Sequence, residues 1–438
     1  MDIGVLSLLI VGAMAGLLML GVPLAFVSGA IAVVLAFAHF GTGGLFIIGS
    51  RTAEFIGSFA LVAVPMFVLM ASIMERSGVA RDLYRAFHVW AGELRGGVAM
   101  ITTVVAVILG ATTGIIGGEI VLLGLIALPQ MLKLGYDKKL AIGTITAGGS
   151  LGTMIPPSII LIFYGISAEV SISHLFLATV MPGLLLAGLY IAYILLRCRL
   201  NPALGPPADE ADRQLPLAEK LALLKGVALP LGVAGAVLIS IYAGFASITE
   251  SAAVGVAGTI LAAWVRRELS LEMLRGALLQ ALKTCGMVFW LVFGTNALIG
   301  VYNLLGGIAF AKGLLAGISS EPAVILLVMI GVFILLGFFI DWIGILFLTM
   351  PIFLPTLQVL GYDPIWFGIV FNLSMQIAYL TPPFGPACFY LKGAAPPGVT
   401  LNDIFQAQWP FIGLQLIGLG LVVVFPQIAL WLPKLVYG

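Results

Sequence analysis

Three carboxylates stand inside or beside apolar stretches of this sequence: Glu119, Glu250 and Asp341. A charge at the centre of a bilayer costs about 2.5–3.5 kcal/mol on insertion scales, so an acid in such a place needs a partner or a task. Asp341 closes the break Gly337-Phe338-Phe339-Ile340-Asp341 between two apolar runs. There it either binds a cation directly or anchors the break through hydrogen bonds to backbone donors. Glu119 follows a similar break, Gly110-Ala111-Thr112-Thr113-Gly114 through Gly117-Gly118, but belongs to the arm behind it and reads as structural. Glu250, in Ser247-Ile248-Thr249-Glu250, is placed to cap a helix, where an acid complements the N-terminal dipole.

Two other segments interrupt the backbone itself. Ala147-Gly148-Gly149-Ser150-Leu151-Gly152-Thr153-Met154-Ile155-Pro156-Pro157-Ser158 cannot be one continuous helix, because its glycines loosen it and its prolines remove backbone donors. The chain must unwind there. Carbonyls freed at the end of the first half carry negative partial charge and suit sodium. A second half opening at Pro156-Pro157-Ser158 turns its positive end inward and suits an anion. The segment Gln376 to Pro386, with Thr381-Pro382-Pro383, offers the same device and adds the Thr381 hydroxyl as a ligand.

The elements that must hold these groups are membrane helices. Of 438 residues, 61% are hydrophobic and 9% charged, a composition that no soluble core can hide. At about 20 residues per crossing the apolar runs give around ten spans plus shorter pieces, an all-α polytopic membrane protein. Two pairs of short runs, 98–116 with 119–132 and 323–337 with 342–357, read as re-entrant helical hairpins whose polar tips are the breaks described above. Residues 79–95 and 268–283 have the one-sided apolar pattern of helices lying in the interface. The first apolar run has no basic residue ahead of it and reads as a retained span, not a cleaved signal.

With the N-terminus outside and each hairpin returning to its starting side, all of the 20 Lys and Arg except Arg51, Lys312 and Lys434 fall on one face, among them Lys138, Arg213 and Lys225. Cytoplasmic loops collect such residues, so the expected address is a bacterial inner membrane with a periplasmic N-terminus. A net charge of +1 leaves no basic stripe for nucleic acid. Cys198, Cys285 and Cys388, like His39, His88 and His174, lack the spacing of a metal site or a disulfide framework.

The sequence is also duplicated. Leu128-Pro129 through Gly135-Tyr136-Asp137 returns as Leu354-Pro355 through Gly361-Tyr362-Asp363, six of ten positions identical at an offset of 226 residues. Pro156-Pro157 pairs with Pro382-Pro383, and Tyr164 with Tyr390, at the same offset. In the charge-derived topology the two copies face opposite sides, so the repeats are inverted. Inverted repeats with broken helices in matching positions mark a secondary transporter whose site lies at the midplane. The expected plan is scaffold helices over 1–97, hairpin 1 and its broken helix over 98–196, and a cytoplasmic linker over 197–225. Second scaffold helices cover 226–322, and hairpin 2, its broken helix and a last transport-domain helix cover 323–438.

At these residues the chain resembles the large membrane subunit of the tripartite ATP-independent periplasmic (TRAP) transporters, in the ion-transporter superfamily. The likeness spans the whole chain. It rests on the Gly-Tyr-Asp loops, the break at 148–158, Thr249-Glu250-Ser251-Ala252-Ala253, the Gly337–Asp341 tip and Thr381-Pro382-Pro383. The resemblance implies an elevator mechanism, in which hairpins and broken helices move against a scaffold. It also implies sodium coupling, an organic-acid substrate, a small four-helix membrane subunit and a periplasmic substrate-binding protein. Carried onto matching positions, it implies sodium ligands at Thr112, Gly114, Ser150 and Thr153, and at Gly337, Asp341, Tyr379 and Thr381. Substrate contacts are implied at Thr113, Gly152, Pro156 and Ser158, and at Thr381 and Pro382. Glu119, behind a tip that is mostly small and hydroxylated in the family, departs from the pattern and leaves open whether a proton replaces or joins sodium.

A stand-alone sodium–carboxylate symporter of the same superfamily is the alternative reading. An intramembrane enzyme is disfavoured, because no Ser/His pair, His-Glu-x-x-His run or facing aspartates support catalysis. A channel would need neither hairpin gates nor inversion.

Overall fold

The computed structural model describes residues 2–210, 214–319 and 321–438, and these are helical almost throughout. Arg213 and the Lys225 side chain, two of the basic groups that set the expected topology, lie outside what is described. Helices begin where a capping residue precedes an apolar run. Asp137 accepts from the Leu140 N–H at 2.9 Å to open α8 (Lys138–Ser150), and Asp363 accepts from Ile365 and Trp366 to open α17 (Pro364–Leu380). Each bond satisfies a donor that the first helical turn would leave orphaned.

In chain order, α1 (Ile3–Met19), α2 (Leu24–Phe40), α3 (Gly43–Ile56), α4 (Ala63–Arg76) and α5 (Val79–His88) precede the first hairpin, α6 (Gly97–Thr113) and α7 (Gly118–Lys133). After α8 come α9 (Ile159–Ala168) and α10 (Ile172–Leu200). The second half runs α11 (Leu217–Tyr242), α12 (Ile248–Val265), α13 (Leu271–Leu304) and α14 (Gly307–Ile318), then the second hairpin, α15 (Pro322–Gly337) and α16 (Trp342–Val359). It ends with α17, α18 (Pro386–Ala394), α19 (Leu401–Val424) and α20 (Gln427–Tyr437). The 226-residue offset survives in three dimensions: α7 ends at Lys133 and α16 at Val359, and α9 ends at Ala168 and α18 at Ala394.

The halves interleave. Helices α2–α5 pack with α11–α13, whereas α6–α10 pack among themselves and with α15–α20. Where α2 crosses α13, a Cβ at Gly294 would lie 2.4 Å from the Ala25 carbonyl oxygen, so only glycine permits the approach. With lipid tails as apolar as leucine, such close backbone contact is what holds membrane helices together. The two groups meet where α13 packs on α16 and α4 on α6.

Several expectations change. The amphipathic stretch 268–283 is not a separate helix but continues into the apolar residues that follow as one helix, α13, because no glycine or proline interrupts Leu282-Lys283-Thr284-Cys285. The apolar sequence at the C-terminal end of the expected 323–438 segment is split after Val424, where Phe425-Pro426 ends α19. Helix α3 carries Arg51, Thr52 and Glu54 and has no apolar run to announce it; Phe55, packed among Phe163, Phe293 and Phe347, fixes it. The linker is narrower than 197–225, since α10 continues to Leu200 and α11 starts at Leu217. Its start is pinned by the Gly96 N–H donating to the Gly205 carbonyl at 2.9 Å and Asp137 N–H to that of Leu204 at 2.9 Å. Six helices are long and apolar enough to cross a membrane, or seven if the bent α11 counts as one span, among the described residues. That is fewer than the ten expected, because α1 and α2, at 17 residues, reach only about 25 Å.

Candidate ion and substrate site

The first break is built as the glycines and prolines require. Helix α8 stops at Ser150, a 3-10 turn covers Leu151–Thr153, and α9 resumes at Ile159 after the cis Pro156–Pro157 bond. The loosened backbone is held by hydroxyls. Ser158 Oγ donates to the Thr153 carbonyl at 2.6 Å, and Thr179 Oγ1 to that of Met154 at 2.9 Å.

The tip of hairpin 1 sits directly on this break. Gly114 ends α6 with φ 64°, and its carbonyl accepts the Ile159 N–H at 3.2 Å, satisfying an orphan donor at the start of α9. A Cβ at Gly114 would lie 2.1 Å from the Pro157 carbonyl oxygen, and one at Gly110 would lie 2.5 Å from Gly152 Cα. Glycine is therefore dictated at both tip positions by backbone against backbone. Thr112, Thr113, Gly114, Ser150, Gly152, Thr153, Pro156 and Ser158 are brought into one buried cluster.

The second break repeats the arrangement. Helix α17 ends at Leu380, Thr381 is extended, Pro382–Pro383 is cis, and Gly385 at φ 30° opens α18. At its tip Gly337 meets Ala378, whose Cβ would be 2.3 Å from a Cβ at 337. Thus Gly337 is seated on Ala378, the neighbour in sequence of Tyr379; Gly337, Tyr379 and Thr381 are buried, while Pro382 lies at the half-exposed edge. Asp341 takes the N-cap position of α16, near the Trp342 and Ile343 N–H groups but without a capping hydrogen bond of normal geometry.

The hydroxyl hydrogens are spent on their own helices. Thr112 Oγ1 donates to Leu109 O at 2.7 Å, Ser150 Oγ to Ala147 O at 2.8 Å and Thr381 Oγ1 to Ile377 O at 2.6 Å. A hydroxyl bonded in this way keeps its lone pairs, so its oxygen remains an acceptor or cation ligand.

Two residues that sequence reasoning did not assign to the site join the breaks. From α17, Asn372 Nδ2 donates to the Thr153 carbonyl at 2.9 Å and Gln376 Nε2 to Thr153 Oγ1 at 2.5 Å. The signal was present: two amides four residues apart in an otherwise apolar run put their polar ends on one face. Asn372 Oδ1, Gln376 Oε1, Tyr379 Oη and Glu119 Oε1 are buried without a hydrogen-bond partner. Unpaired buried oxygens are costly, and their gathering at the breaks suits an oxygen-ligated cation.

Glu119 is more than an arm residue. It is 2% exposed, Thr113 Oγ1 donates to its Oε2 at 3.5 Å, and its Oε1 would be 1.9 Å from a Cβ at Gly152. Beyond the Gly118 backbone stands Glu75, which accepts from Gln280 Nε2 at 2.9 Å. Glu250, by contrast, forms the capping box expected of it: its Oε2 accepts from Ser247 N at 2.7 Å, and its own N–H donates to Ser247 Oγ.

Residues 11–428 match the family described as tripartite ATP-independent periplasmic transporter, DctM component. The chain belongs to this family. It is therefore a large membrane subunit of a TRAP transporter, a multi-pass transport protein that works with a substrate-binding protein and, in most members, a small membrane subunit. The ectoine TRAP transporter large permease protein TeaC of Halomonas elongata is 29% identical over 99% of this chain and 100% of its own length. The C4-dicarboxylate TRAP transporter large permease protein DctM of Vibrio cholerae is 28% identical over 100% of this chain and 99% of its own length. Among solved structures, the Alcanivorax borkumensis YdaH transporter superposes with TM-score 0.66 at 16% identity, covering 94% of this chain and 98% of its own, a likeness of fold alone.

Proposed function

We propose that this TRAP subunit carries an organic acid, handed over by a periplasmic binding protein, across a bacterial inner membrane by sodium-coupled elevator movement. The observation that carries the reading is the seating of each hairpin tip on a helix break, with unpaired oxygens gathered where the breaks meet. Three of the arms, α6, α7 and α15, at 16 or 17 residues and about 24–26 Å, fall short of a 30 Å hydrocarbon core and suit hairpins that turn inside it, whereas α16, at 18 residues, is long and apolar enough to cross. Helices α6–α10 with α15–α20 form the moving group, and α1–α5 with α11–α14 the scaffold. The inverted topology and periplasmic N-terminus rest on the distribution of Lys and Arg. An organic acid suits the positive ends of α9 and α18, and the relatives named for ectoine and C4-dicarboxylates transport solutes that carry a carboxylate.

Sodium is assigned to the first break at Thr112, Gly114, Ser150 and Thr153, and to the second at Gly337, Asp341, Tyr379 and Thr381. The anion is assigned to Thr113, Gly152, Pro156, Ser158, Thr381 and Pro382. One sodium entering down about 100 mV supplies roughly 2.3 kcal/mol, so losing a coupling ion lowers accumulation even when substrate still binds. Uptake is measured in liposomes holding this chain and its small subunit, with binding protein outside and sodium varied. Asp341→Asn and Thr381→Val keep the shapes and remove the charge and the oxygen. Each is expected to raise the sodium concentration for half-maximal uptake. Unchanged sodium dependence in both would make Asp341 a structural anchor, and full uptake by the chain alone would favour the stand-alone symporter.

A further inference from the structure

At the arginine-rich end of the bundle, α5 lies against α7 and the first turns of α11, and the three border an open cavity of about 580 Å³. Helix α5 buries Val79, Leu83, Tyr84 and Ala86 and leaves Arg81 and Arg85, one turn apart, exposed at the cavity wall. Asp82, which stands between them, is already ion-paired to Arg266. Among the described residues no carboxylate forms an ion pair with Arg81 or Arg85.

The remaining wall has two characters. His88 and Gln130, joined at 2.7 Å, continue the polar side, whereas Val89, Ile126 and Leu223 make an apolar slope. Among the described residues Glu219 is the one carboxylate on the lining, so two guanidiniums outweigh it. Just past α5, Trp90 and Leu94 are 39% and 48% exposed, the kind of residues that anchor a helix at the level of lipid headgroups.

We propose that this cavity binds an anionic glycerophospholipid, with the phosphodiester held by Arg81 and Arg85 and the acyl chains lying along the apolar slope. Guanidinium matches phosphate oxygens in a bidentate fork, and basic pockets between membrane helices take headgroups of this kind. The apolar half of the wall distinguishes a lipid from a free phosphate ion, and the excess of positive charge distinguishes an anionic lipid from a zwitterionic one. Such a lipid touches α5 and α11 on one side and α7 of the first hairpin on the other, so it bridges the two packing groups.

The test uses the full chain, delipidated in detergent, with thermal unfolding and native mass spectrometry read after adding phosphatidylglycerol, phosphatidylethanolamine or inorganic phosphate. Phosphatidylglycerol is expected to raise the unfolding temperature, and to persist as a bound adduct, at a concentration at least tenfold below that of phosphatidylethanolamine. Arg81→Gln with Arg85→Gln should abolish both effects, while Arg275→Gln, an exposed basic residue away from the cavity, should preserve them. Because both arginines are exposed, the double variant is expected to fold; the single variants, each weakening the lipid effect about tenfold, give the same reading if it does not. An equal lipid effect in wild type and double variant would overturn the proposal. So would the same shift from inorganic phosphate, which would make the cavity a free-anion site, or equal response to the two lipids.

Discussion

Replacing Gly114 by alanine tests whether the first hairpin tip must lie on the break for the ion to be held. The new Cβ would stand 2.1 Å from the Pro157 carbonyl oxygen, more than 1 Å inside ordinary contact, and neither partner is a flexible side chain. Gly114 also sits at φ 64°, where an L side chain costs roughly 1–2 kcal/mol. Overpacking of this kind adds about 1–3 kcal/mol. The docked tip should therefore lose about 2–5 kcal/mol, and at about 1.4 kcal/mol per tenfold its occupancy relative to a lifted tip falls by roughly 30-fold or more. In the reconstituted system this reads as a rise of at least tenfold in the sodium concentration for half-maximal uptake. Expression, insertion and thermal stability of the scaffold should be close to wild type. Gly49→Ala is the control: Gly49 lies inside α3, a Cβ there meets nothing within 4 Å, and transport should be unchanged. Wild-type sodium dependence in Gly114→Ala would refute the argument that tip docking forms the site.

The second tip allows a rescue experiment. Gly337→Ala should damage uptake because its Cβ would meet that of Ala378 at 2.3 Å, and adding Ala378→Gly should restore much of the loss; no restoration would mean that the two do not abut during transport. Asn372→Leu and Gln376→Leu, which remove the links from α17 to Thr153, should each reduce sodium-dependent uptake severalfold and destabilise the protein by about 1–3 kcal/mol in a thermal assay, because Thr153 loses a partner. Cysteines at Lys138 and Lys283 in a cysteine-free background should react with an impermeant reagent only from the cytoplasm. Labelling of either from the periplasm would sink the orientation.

Much of the architecture was legible from residues alone, for local reasons. The glycines up to Gly152 loosen the helix and the Pro156-Pro157 pair removes its backbone donors, so that α8 runs through Gly148 and Gly149 but stops at Ser150; Thr381-Pro382-Pro383 says the same of the second copy, so both breaks were announced by backbone chemistry. Asp137 and Asp363 announce helix starts through side chains that reach only two or three residues ahead. The hairpin arms came within three residues of their observed ends because each tip interrupts an apolar run. Glu250 was readable as a cap because its partner, Ser247, is three residues away.

What the sequence could not decide is which distant surfaces meet. The run Pro364–Leu380 is helical by pattern, but only packing turns Asn372 and Gln376 toward Thr153, more than two hundred residues earlier. Glu119 read as an arm residue because its arm was all that sequence displayed; its isolation beside Gly152, with Glu75 beyond Gly118, arises only when α4, α7 and the first break converge. Helix α3 declares itself through Phe55 entering an aromatic cluster drawn from α9, α13 and α16. Backbone breaks, caps and apolar lengths act within a turn or two and are written in neighbouring residues. The site depends on four elements from two repeats approaching to glycine contact, and that approach is settled by three-dimensional packing.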